Sequence, residues 1–338
     1  MIGGGGWGTA LAIVLESRQH AVRLWVYEPD LADHMRRSRV NERFLSEVRI
    51  PDPIRITSSL REAADGAETL LFVTPSHALR GTTERLRSEA ARDLDGVEWV
   101  TVATKGLENG TLLRMSEVLS EILPARLRDH IVVLAGPSHA EEVARRVPTL
   151  VVAASQNPER AALAQESYAA EWFRIYTNDD VIGVELGVAL KNVIAIAAGI
   201  ADGLGFGDST KAALLTRGLA EMARLGERLG ARPETLSGLA GMGDLIATAT
   251  SRHSRNRRLG EAIGRGATLE EALAASPMVV EGVGTADAAL ALARRHGIEV
   301  PIIEQVHAIL YERKSAKAAM RELLSRGLKP EASTLSRR

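Results

Sequence analysis

The sequence predicts an α/β protein in two parts: a doubly wound sheet in the N-terminal half and an all-α domain in the C-terminal half. In the first half, short β-rich apolar runs alternate with helix-sized segments, a pattern typical of parallel strands covered on both faces. From about Asp179 onward the strand pattern stops and helical segments follow one another. A chain of 338 residues also exceeds what one core usually covers, so we expect two domains.

Five apolar runs are the candidate strands of the sheet. They are VRLWVYEP at 22–29, TLLFVTPS at 69–76, EWVTVATKG at 98–106, HIVVLAGPS at 130–138 and PTLVVAAS at 148–155. The boundaries that we predict are 1–178 for the sheet domain, 179–330 for the helical domain and 331–338 for a polar tail.

Capping residues mark helix boundaries in the second half. Thr268 and Glu271 form a capping-box pattern. Thr285 is the expected start of a later helix, which Gly297 would end.

The composition excludes several classes of function. A net charge of -1 gives no field that would attract nucleic acid or an anionic membrane. The chain has no cysteine, which excludes disulfides, thiolate metal sites and cysteine nucleophiles, and its eight histidines lack close ligand spacing, so we expect no metal. The N-terminal residues lack the pattern of a secretory signal, so we expect a cytoplasmic protein.

The stretch at 181–200 has the length of a membrane span but contains Glu185, Lys191 and Asn192. A charge at mid-span is unfavourable by a few kcal/mol. We therefore expect a helix buried in the protein core and no membrane span.

The glycine-rich opening GGGGWG predicts a dinucleotide site. Gly3, Gly5 and Gly8 have the G-x-G-x-x-G spacing and run directly into a helical segment. The first glycine permits a tight turn, the second lets the backbone approach a pyrophosphate, and the third allows close helix packing. Glu28 stands twenty residues after Gly8, where an acid binds the ribose in such sites. A flexible leader is the alternative for the glycines, but Glu28 favours a Rossmann-like domain.

The choice between NAD and NADP stays open in the sequence. Glu28 favours NAD, because a carboxylate repels a 2′-phosphate. Arg36, Arg37 and Arg39 lie nearby in the sequence and could offset that repulsion.

Ligands in open α/β sheets gather beyond the carboxyl ends of the strands. Lys105, in ATKGLE, is placed there to meet an anionic or carbonyl oxygen, although a solvated surface lysine is the alternative. Ser138, in GPSHAEEV, either caps a helix or touches a substrate as well.

Lys191 is the most informative residue of the helical half, because it interrupts an otherwise apolar helix. Burial lowers the pKa of a lysine and can bring it into the range of proton transfer. A structural ion pair with Glu185 or Asp244 is the alternative.

The segment at 251–258 is rich in arginine and follows a glycine-rich turn that contains Asp244. Its arginines are Arg252, Arg255, Arg257 and Arg258. Serine, asparagine and arginine at a helix N-terminus are suited to a phosphate. A solvated face is one alternative. Nucleic-acid binding is another, disfavoured by the near-neutral chain.

Together these stretches resemble the bacterial NAD(P)-dependent sn-glycerol-3-phosphate dehydrogenase family. The resemblance runs over nearly the whole chain and is carried by GGWGTALA, VTPSHALR, ATKGLE, AGPSHAEEV, LKNVIAIAAGIADG, GLAGMGDLIATATSRHSRNRRLG and VVEGVGTA, in family order. It implies reversible reduction of dihydroxyacetone phosphate to sn-glycerol 3-phosphate, a precursor of phospholipids. Assembly as a homodimer stays open.

The resemblance also implies residue roles. Lys191 would donate or accept the proton, with Lys105 and Asp244 beside the substrate and Asn192 and Thr248 in support. The other substrate positions would be Gly136, Ser138, Ser254, Arg255 and Asn256. The cofactor positions would be Gly3, Gly5, Gly6, Trp7, Gly8, Tyr27, Glu28, Lys105, Ala140, Arg255, Val279 and Glu281. Gly6 departs from the serine or alanine usual in the family, which we expect to remove only a side-chain contact.

Two alternatives stay open beside this resemblance. One is a dehydrogenase of the same architecture that acts on another small hydroxyacid, since a carboxylate would also suit Arg255. The other is a non-catalytic nucleotide-binding paralogue.

The N-terminus departs most from the family pattern. Only Met1 and Ile2 precede the first glycine, so most of the first strand of a Rossmann-like sheet is missing. That strand lies in the middle of the sheet, and losing it would forfeit much of the stability of a small domain. We therefore expect Met1 to be an internal residue of a strand that begins upstream.

Overall fold

The computed structural model describes residues 1–276, 278–328 and 330, and the predicted tail at 331–338 lies outside the described residues. The described chain forms a twisted sheet flanked by helices, followed by a helical half.

The main sheet is built from seven strands and the backbone of Ile2 in the described part of the chain. The strands are β1 (Arg23–Trp25), β4 (Arg55–Thr57), β5 (Thr69–Phe72), β6 (Trp99–Val102), β7 (Ile131–Ala135), β8 (Thr149–Ala154) and β9 (Phe173–Asn178). Their order is β4-β1-Ile2-β5-β6-β7-β8-β9. A separate antiparallel pair consists of β2 (Val40–Asn41) and β3 (Leu45–Arg49).

Ile2 lies in the middle of this sheet and is completely buried. It bridges Trp25 on one side and Phe72 on the other, both in parallel orientation. The amide of Ile2 donates to the carbonyl of Leu71 at 2.8 Å, and the amide of Trp25 donates to the carbonyl of Met1 at 2.9 Å. Met1 and Ile2 therefore occupy the position of the central strand of a doubly wound sheet. The glycine-rich turn follows directly after Ile2.

Two features of the far edge differ from the predicted parallel sheet. β8 runs antiparallel to β7, with Val133 opposite Ala154. The helix between them, Ala140–Ala144, spans only about 7.5 Å at 1.5 Å per residue, too little to return the chain along the sheet for a parallel crossover. β9 was not predicted, because its alternation of buried and exposed residues, with Arg174 and Tyr176 outside, lacks a continuous apolar run.

Helices cover both faces of the sheet. They are α1 (Gly6–Ser17), α2 (Pro29–Ser38), α3 (Leu60–Ala64), α4 (Ser76–Glu89), α5 (Met115–Ile122), α6 (Ala140–Ala144) and α7 (Pro158–Tyr168), with 3₁₀ turns at Asp93–Gly96 and Ala125–His130. Successive strand residues enter different apolar clusters: Leu71 packs in one, and Leu70 and Phe72 in the other. The sheet is thus buried on both faces, as its apolar runs predict.

The helical half is arranged around one long helix, α8 (Val181–Gly203). The others are α9 (Asp208–Arg228), α10 (Pro233–Leu236), a π-helical turn (Leu239–Gly243), α11 (Asp244–Thr250), α12 (Arg255–Gly264), α13 (Leu269–Ala274), α14 (Glu281–His296), α15 (Pro301–Tyr311) and α16 (Ala316–Leu324). α8 is long and apolar enough to cross a membrane, but 94% of its most apolar window is buried in the protein. It forms the predicted core helix.

Capping in this half follows the sequence in part. Thr268 and Glu271 form the predicted capping box, and Gly297 ends α14 in the left-handed region. However, α14 begins at Glu281, four residues before the predicted start at Thr285. Glycines weaken the helical pattern there, but Gly282 is required because an added Cβ would lie 2.8 Å from the carbonyl oxygen of Asn192 on α8.

Candidate active site

A cavity of about 960 Å³ is lined by residues of both halves of the chain. The sheet half contributes the glycine-rich turn and the residues after β1, β5, β6 and β7, so the cavity lies at the carboxyl edge where ligands of such sheets bind. The helical half contributes residues of α8, α11, α12 and the start of α14. The predicted site residues that line it are Gly3, Gly5, Gly6, Trp7, Tyr27, Glu28, Lys105, Ser138, Ala140, Lys191, Asp244, Ser254, Arg255, Asn256, Val279 and Glu281.

The glycine-rich turn has the geometry that a dinucleotide requires. Gly3 has a φ of 126°, in the region that favours glycine, and an added Cβ at Gly8 would lie 1.9 Å from the carbonyl oxygen of Gly3. Gly8 therefore lies behind the turn, where it lets α1 pack closely. Gly5 faces open space, with nothing within 4 Å of an added Cβ, at the N-terminus of α1. The turn thus offers room and backbone amides to a pyrophosphate.

Gly6 has a tighter environment than the sequence suggests. An added Cβ would lie 2.7 Å from the carbonyl oxygen of Phe44, in the turn between β2 and β3. The glycine therefore does more than omit a side-chain contact, because it lets this turn close over the start of α1.

Asp244 joins the two candidate lysines. Its Oδ1 accepts a hydrogen bond from Lys191 Nζ at 3.1 Å, and its Oδ2 accepts one from Lys105 Nζ at 3.0 Å. Thr248 Oγ1 accepts a second bond from Lys191 Nζ at 2.6 Å, and the Gly136 carbonyl accepts one from Lys105 at 2.9 Å. The lysine of the sheet domain and that of the helical domain thus meet at one carboxylate.

Each member of this network is placed by its local structure. Lys105 follows β6 and enters the cavity from the carboxyl edge of the sheet, and Lys191 projects from the middle of α8. Asp244 begins α11 directly after the π-helical turn, and Thr248 lies four residues later, one turn along the same helix face. Ser138 Oγ is 3.4 Å from Lys105 Nζ, so it lies at the edge of the network.

Burial brings the pKa of Lys191 toward neutral pH. Lys191 is only 5% exposed, and burial lowers its pKa to about 8, although the carboxylate of Asp244 works in the opposite direction. Burial also raises the pKa of Asp244, but the two ammonium groups outweigh it and hold that pKa below its usual value. The result is an anionic carboxylate beside a lysine that can gain or lose a proton near neutral pH.

The arginine-rich segment supplies one arginine to the cavity lining. Arg255, the first residue of α12, lines the cavity and donates to the carbonyl of Val279 at 2.6 Å. Arg257 is instead paired with Asp202, and Arg252 and Arg258 are exposed. Of the four arginines in this segment, Arg255 is therefore the candidate for an anion in the cavity.

The residues beside Arg255 are fixed by hydrogen bonds. Ser254 caps α12 by accepting from the amide of Arg257 at 3.2 Å. Asn256 Nδ2 donates to Asn192 Oδ1 at 2.8 Å, while its own Oδ1 accepts from the amide of Gly282. These bonds hold α8, α12 and α14 in one arrangement around the cavity.

Glu281 connects the two halves of the chain at the cavity wall. Its carboxylate accepts from the amide of Ser76 at 3.1 Å and from the Ser76 hydroxyl at 2.5 Å. Burial raises the pKa of Glu281. Ser76 was not predicted as a site residue, since no sequence signal links positions so far apart.

Arg43 and Phe44 are among the residues of the cavity wall that were not predicted. They lie in a short turn whose sequence, NERF, carries no known motif.

Among the described residues, no group of three or more histidine, aspartate or glutamate side chains is arranged to hold a metal ion.

A Rossmann-like sheet with a glycine-rich turn, whose cavity also receives a buried lysine from a helical half, defines an NAD(P)-dependent dehydrogenase. The comparisons with known proteins identify the family. Residues 1–161 match the model described as NAD-dependent glycerol-3-phosphate dehydrogenase N-terminus, and residues 180–321 match the model of the C-terminus. The chain belongs to the NAD-dependent glycerol-3-phosphate dehydrogenase family.

Individual relatives agree with this assignment. The chain is 48% identical to "Glycerol-3-phosphate dehydrogenase [NAD(P)+]" of Chlorobium limicola and 49% identical to the protein of that name from Geobacter sulfurreducens, each over 98% of both chains. The crystal structure of glycerol-3-phosphate dehydrogenase from Coxiella burnetii superimposes with a TM-score of 0.90 at 42% identity, over 96% of this chain and 98% of the other. Another hydroxyacid dehydrogenase or a non-catalytic paralogue is not favoured by these matches.

Proposed function

We propose that the protein interconverts dihydroxyacetone phosphate and sn-glycerol 3-phosphate, with NADH or NADPH as the reductant. The observation that carries the proposal is the Lys191–Asp244 contact, which lies in the same cavity as the glycine-rich turn and Arg255. A proton donor, a dinucleotide turn and an anion-binding guanidinium are the three components that reduction of a phosphorylated ketone needs.

A nicotinamide dinucleotide bound at the glycine-rich turn would supply the hydride that the C2 carbonyl carbon of the ketone needs. In the same direction, the ammonium of Lys191 gives a proton to the carbonyl oxygen and becomes a neutral amine. In the oxidation of the alcohol, the neutral amine takes the hydroxyl proton. A pKa near 8 makes both forms accessible around neutral pH.

Lys105 and Asp244 assist Lys191 in this proposal. Lys105 lies beside the reacting oxygen and stabilises negative charge that develops there. Asp244 holds both ammonium groups and keeps Lys191 charged in a buried site. Thr248 fixes the direction of the Lys191 side chain.

The phosphate of the substrate is bound at the N-terminus of α12. Arg255 supplies the charge-assisted hydrogen bonds, with Ser254 and Asn256 beside it. Gly136 and Ser138 complete the substrate pocket next to Lys105. Binding at the remote phosphate orients the carbonyl for reaction.

Most of the dinucleotide contacts would come from residues 1–178, and residues 179–330 would bind the substrate phosphate and donate the proton. Dinucleotide contacts would come from Gly3, Gly5, Gly6, Trp7, Tyr27, Glu28, Lys105, Ala140, Arg255, Val279 and Glu281, while Gly8 would support the turn from behind. The product would serve phospholipid synthesis in the cytoplasm. The protein could be a homodimer or a monomer. Sedimentation of the purified protein decides between the two.

The test is an assay of nicotinamide absorbance with dihydroxyacetone phosphate and with its phosphate-free analogue. The proposal expects rapid oxidation of NADH or NADPH with the phosphorylated ketone and a kcat/KM lower by at least about a hundredfold with the analogue. Equal turnover of both ketones would favour a different substrate, and dinucleotide binding without turnover of any ketone would favour a non-catalytic protein.

A further inference from the structure

The turn between β2 and β3 is fastened to the glycine-rich turn. Asn41 is completely buried, and its Nδ2 donates to the carbonyl of Gly4 at 2.9 Å and to Thr9 Oγ1 at 2.8 Å. Its Oδ1 accepts from the amide of Phe44 at 3.3 Å. The position of residues 41–44 is therefore coupled to the turn that we assign to the pyrophosphate.

These hydrogen bonds hold the turn that places Arg43 beside Glu28, the acid that we assign to the ribose. Arg43 Nη1 lies 3.1 Å from Glu28 Oε1, and both side chains line the cavity. The guanidinium also lies 5.1 Å from the centre of the Phe44 ring. About half of the Arg43 side chain is exposed, so the guanidinium has room to exchange one anionic partner for another.

The other arginines near Glu28 in sequence are engaged elsewhere or lie apart from the cavity lining. Arg36 pairs with Asp33 on the same helix. The Arg39 side chain donates to the carbonyls of Ile50, Pro51 and Ile54, which ties down the loop before β4. Arg37 is exposed in the last turn of α2.

We propose that Arg43 is the residue that lets this site accept the 2′-phosphate of NADPH in spite of Glu28. The inference rests on the proposed dinucleotide site. With NADH, Glu28 accepts the ribose hydroxyls and keeps its ion pair with Arg43. With NADPH, the guanidinium turns from Glu28 to the 2′-phosphate, to which it can donate two hydrogen bonds. The pair Glu28–Arg43 thus sets the preference between the two cofactors.

Direct binding measurements on the full-length protein test this role without relying on turnover. Titration calorimetry with NADH and NADPH gives two dissociation constants for each variant. For Arg43→Gln we expect NADPH to bind at least about tenfold more weakly, because the charge-assisted hydrogen bonds to the 2′-phosphate are lost, while NADH changes by less than about threefold. Glu28→Gln should have the opposite effect, with tighter NADPH and weaker NADH binding.

Arg37→Gln is the matched control, because it removes the same charge from the neighbouring helix outside the cavity lining. It should leave both dissociation constants within about twofold of the unaltered protein. Titration with AMP and with its 2′-phosphorylated form should repeat the Arg43→Gln pattern, because these probes differ only at the ribose.

The outcomes separate this inference from the proposed function. Equal weakening of both dinucleotides in Arg43→Gln, or of neither, would overturn the role of Arg43 and leave the dinucleotide site intact. The role is also overturned if the unaltered protein binds NADH and shows no NADPH binding. Absence of binding by both dinucleotides would overturn the proposed site together with the inference.

Discussion

Lys191 Nζ and Asp244 Oδ1 lie 3.1 Å apart, although 53 positions separate the two residues in the sequence. Both side chains are almost completely buried, so this ion pair is largely removed from water. Asp244 also binds Lys105 through its second oxygen. One carboxylate therefore serves two ammonium groups, and this three-residue network carries an excess positive charge, which suits an anionic substrate.

Replacing Lys191 with methionine should remove the proton donor while retaining most of the side-chain volume. We expect kcat to fall by about a hundredfold to ten-thousandfold, the range of general acid–base catalysis, with a smaller change in KM. The measurement is the steady-state loss of nicotinamide absorbance. Lys317→Met, an exposed position on α16, is the control and should keep full activity. Substantial activity in Lys191→Met would rule out the proposed role.

The two directions of the reaction should depend on pH in opposite ways. The pKa of Lys191 is lowered from 10.5 to about 8. Ketone reduction uses the protonated lysine, so its kcat should fall as the pH rises through about 8. Alcohol oxidation uses the neutral amine, so its kcat should rise over the same interval. Activity profiles measured in both directions between about pH 6 and pH 10 test the assignment. Parallel profiles would contradict it.

Asp244→Asn should move these profiles toward lower pH. The carboxylate raises the pKa of Lys191 against the effect of burial, so its removal lowers that pKa below 8. The variant also leaves Lys191 without a counterion in a buried site, and we expect about 3 to 5 kcal/mol less free energy of unfolding. Chemical denaturation measures the stability, and the pH midpoint distinguishes an electrostatic role from a loss of folding alone. An unchanged midpoint in folded protein would contradict this account.

The sequence identifies residues whose chemical type conflicts with their surroundings. Lys191 could be found because a lysine inside an apolar helix must have a partner or a function. Of the two candidate partners, Glu185 and Asp244, the structure pairs Lys191 with Asp244. The glycine spacing could be found because it follows from backbone sterics that are local to the turn. Glu28 could be found by its distance from that turn along the chain.

Contacts between distant segments leave no such local trace. The bond between Ser76 and Glu281 joins positions 205 residues apart, and Arg43 reaches Glu28 from a turn that Asn41 anchors. The sequence also could not tell which arginine of 252–258 faces the cavity, because that depends on where α12 begins and how it rotates against α8. The direction of β8 was missed for a similar reason, since it depends on the geometry of a short connection.

Arg255→Ala should weaken binding of the phosphorylated substrate selectively. The guanidinium lines the cavity, whereas that of Arg258, on the same helix, is exposed. We expect KM for dihydroxyacetone phosphate to rise about tenfold to a hundredfold in Arg255→Ala, with little change for the phosphate-free ketone. Arg258→Ala is the control and should leave both values unchanged. A similar loss for both ketones would show that Arg255 does not bind the phosphate.

Alanine at Gly5 and at Gly8 should have different consequences, although both positions belong to the same motif. Alanine is the better helix former, so helix propensity alone would favour Gly8→Ala by about 1 kcal/mol. The added Cβ would, however, lie 1.9 Å from the carbonyl oxygen of Gly3, and we expect a net loss of stability of about 1 to 3 kcal/mol.

At Gly5 the added Cβ meets nothing within 4 Å, so the protein should fold normally. The added methyl group of Gly5→Ala occupies space at the cavity wall, so the pyrophosphate can no longer approach the backbone. NADH should therefore bind at least about tenfold more weakly. Thermal unfolding and calorimetric titration separate the two effects, and full NADH affinity in Gly5→Ala would place the dinucleotide elsewhere.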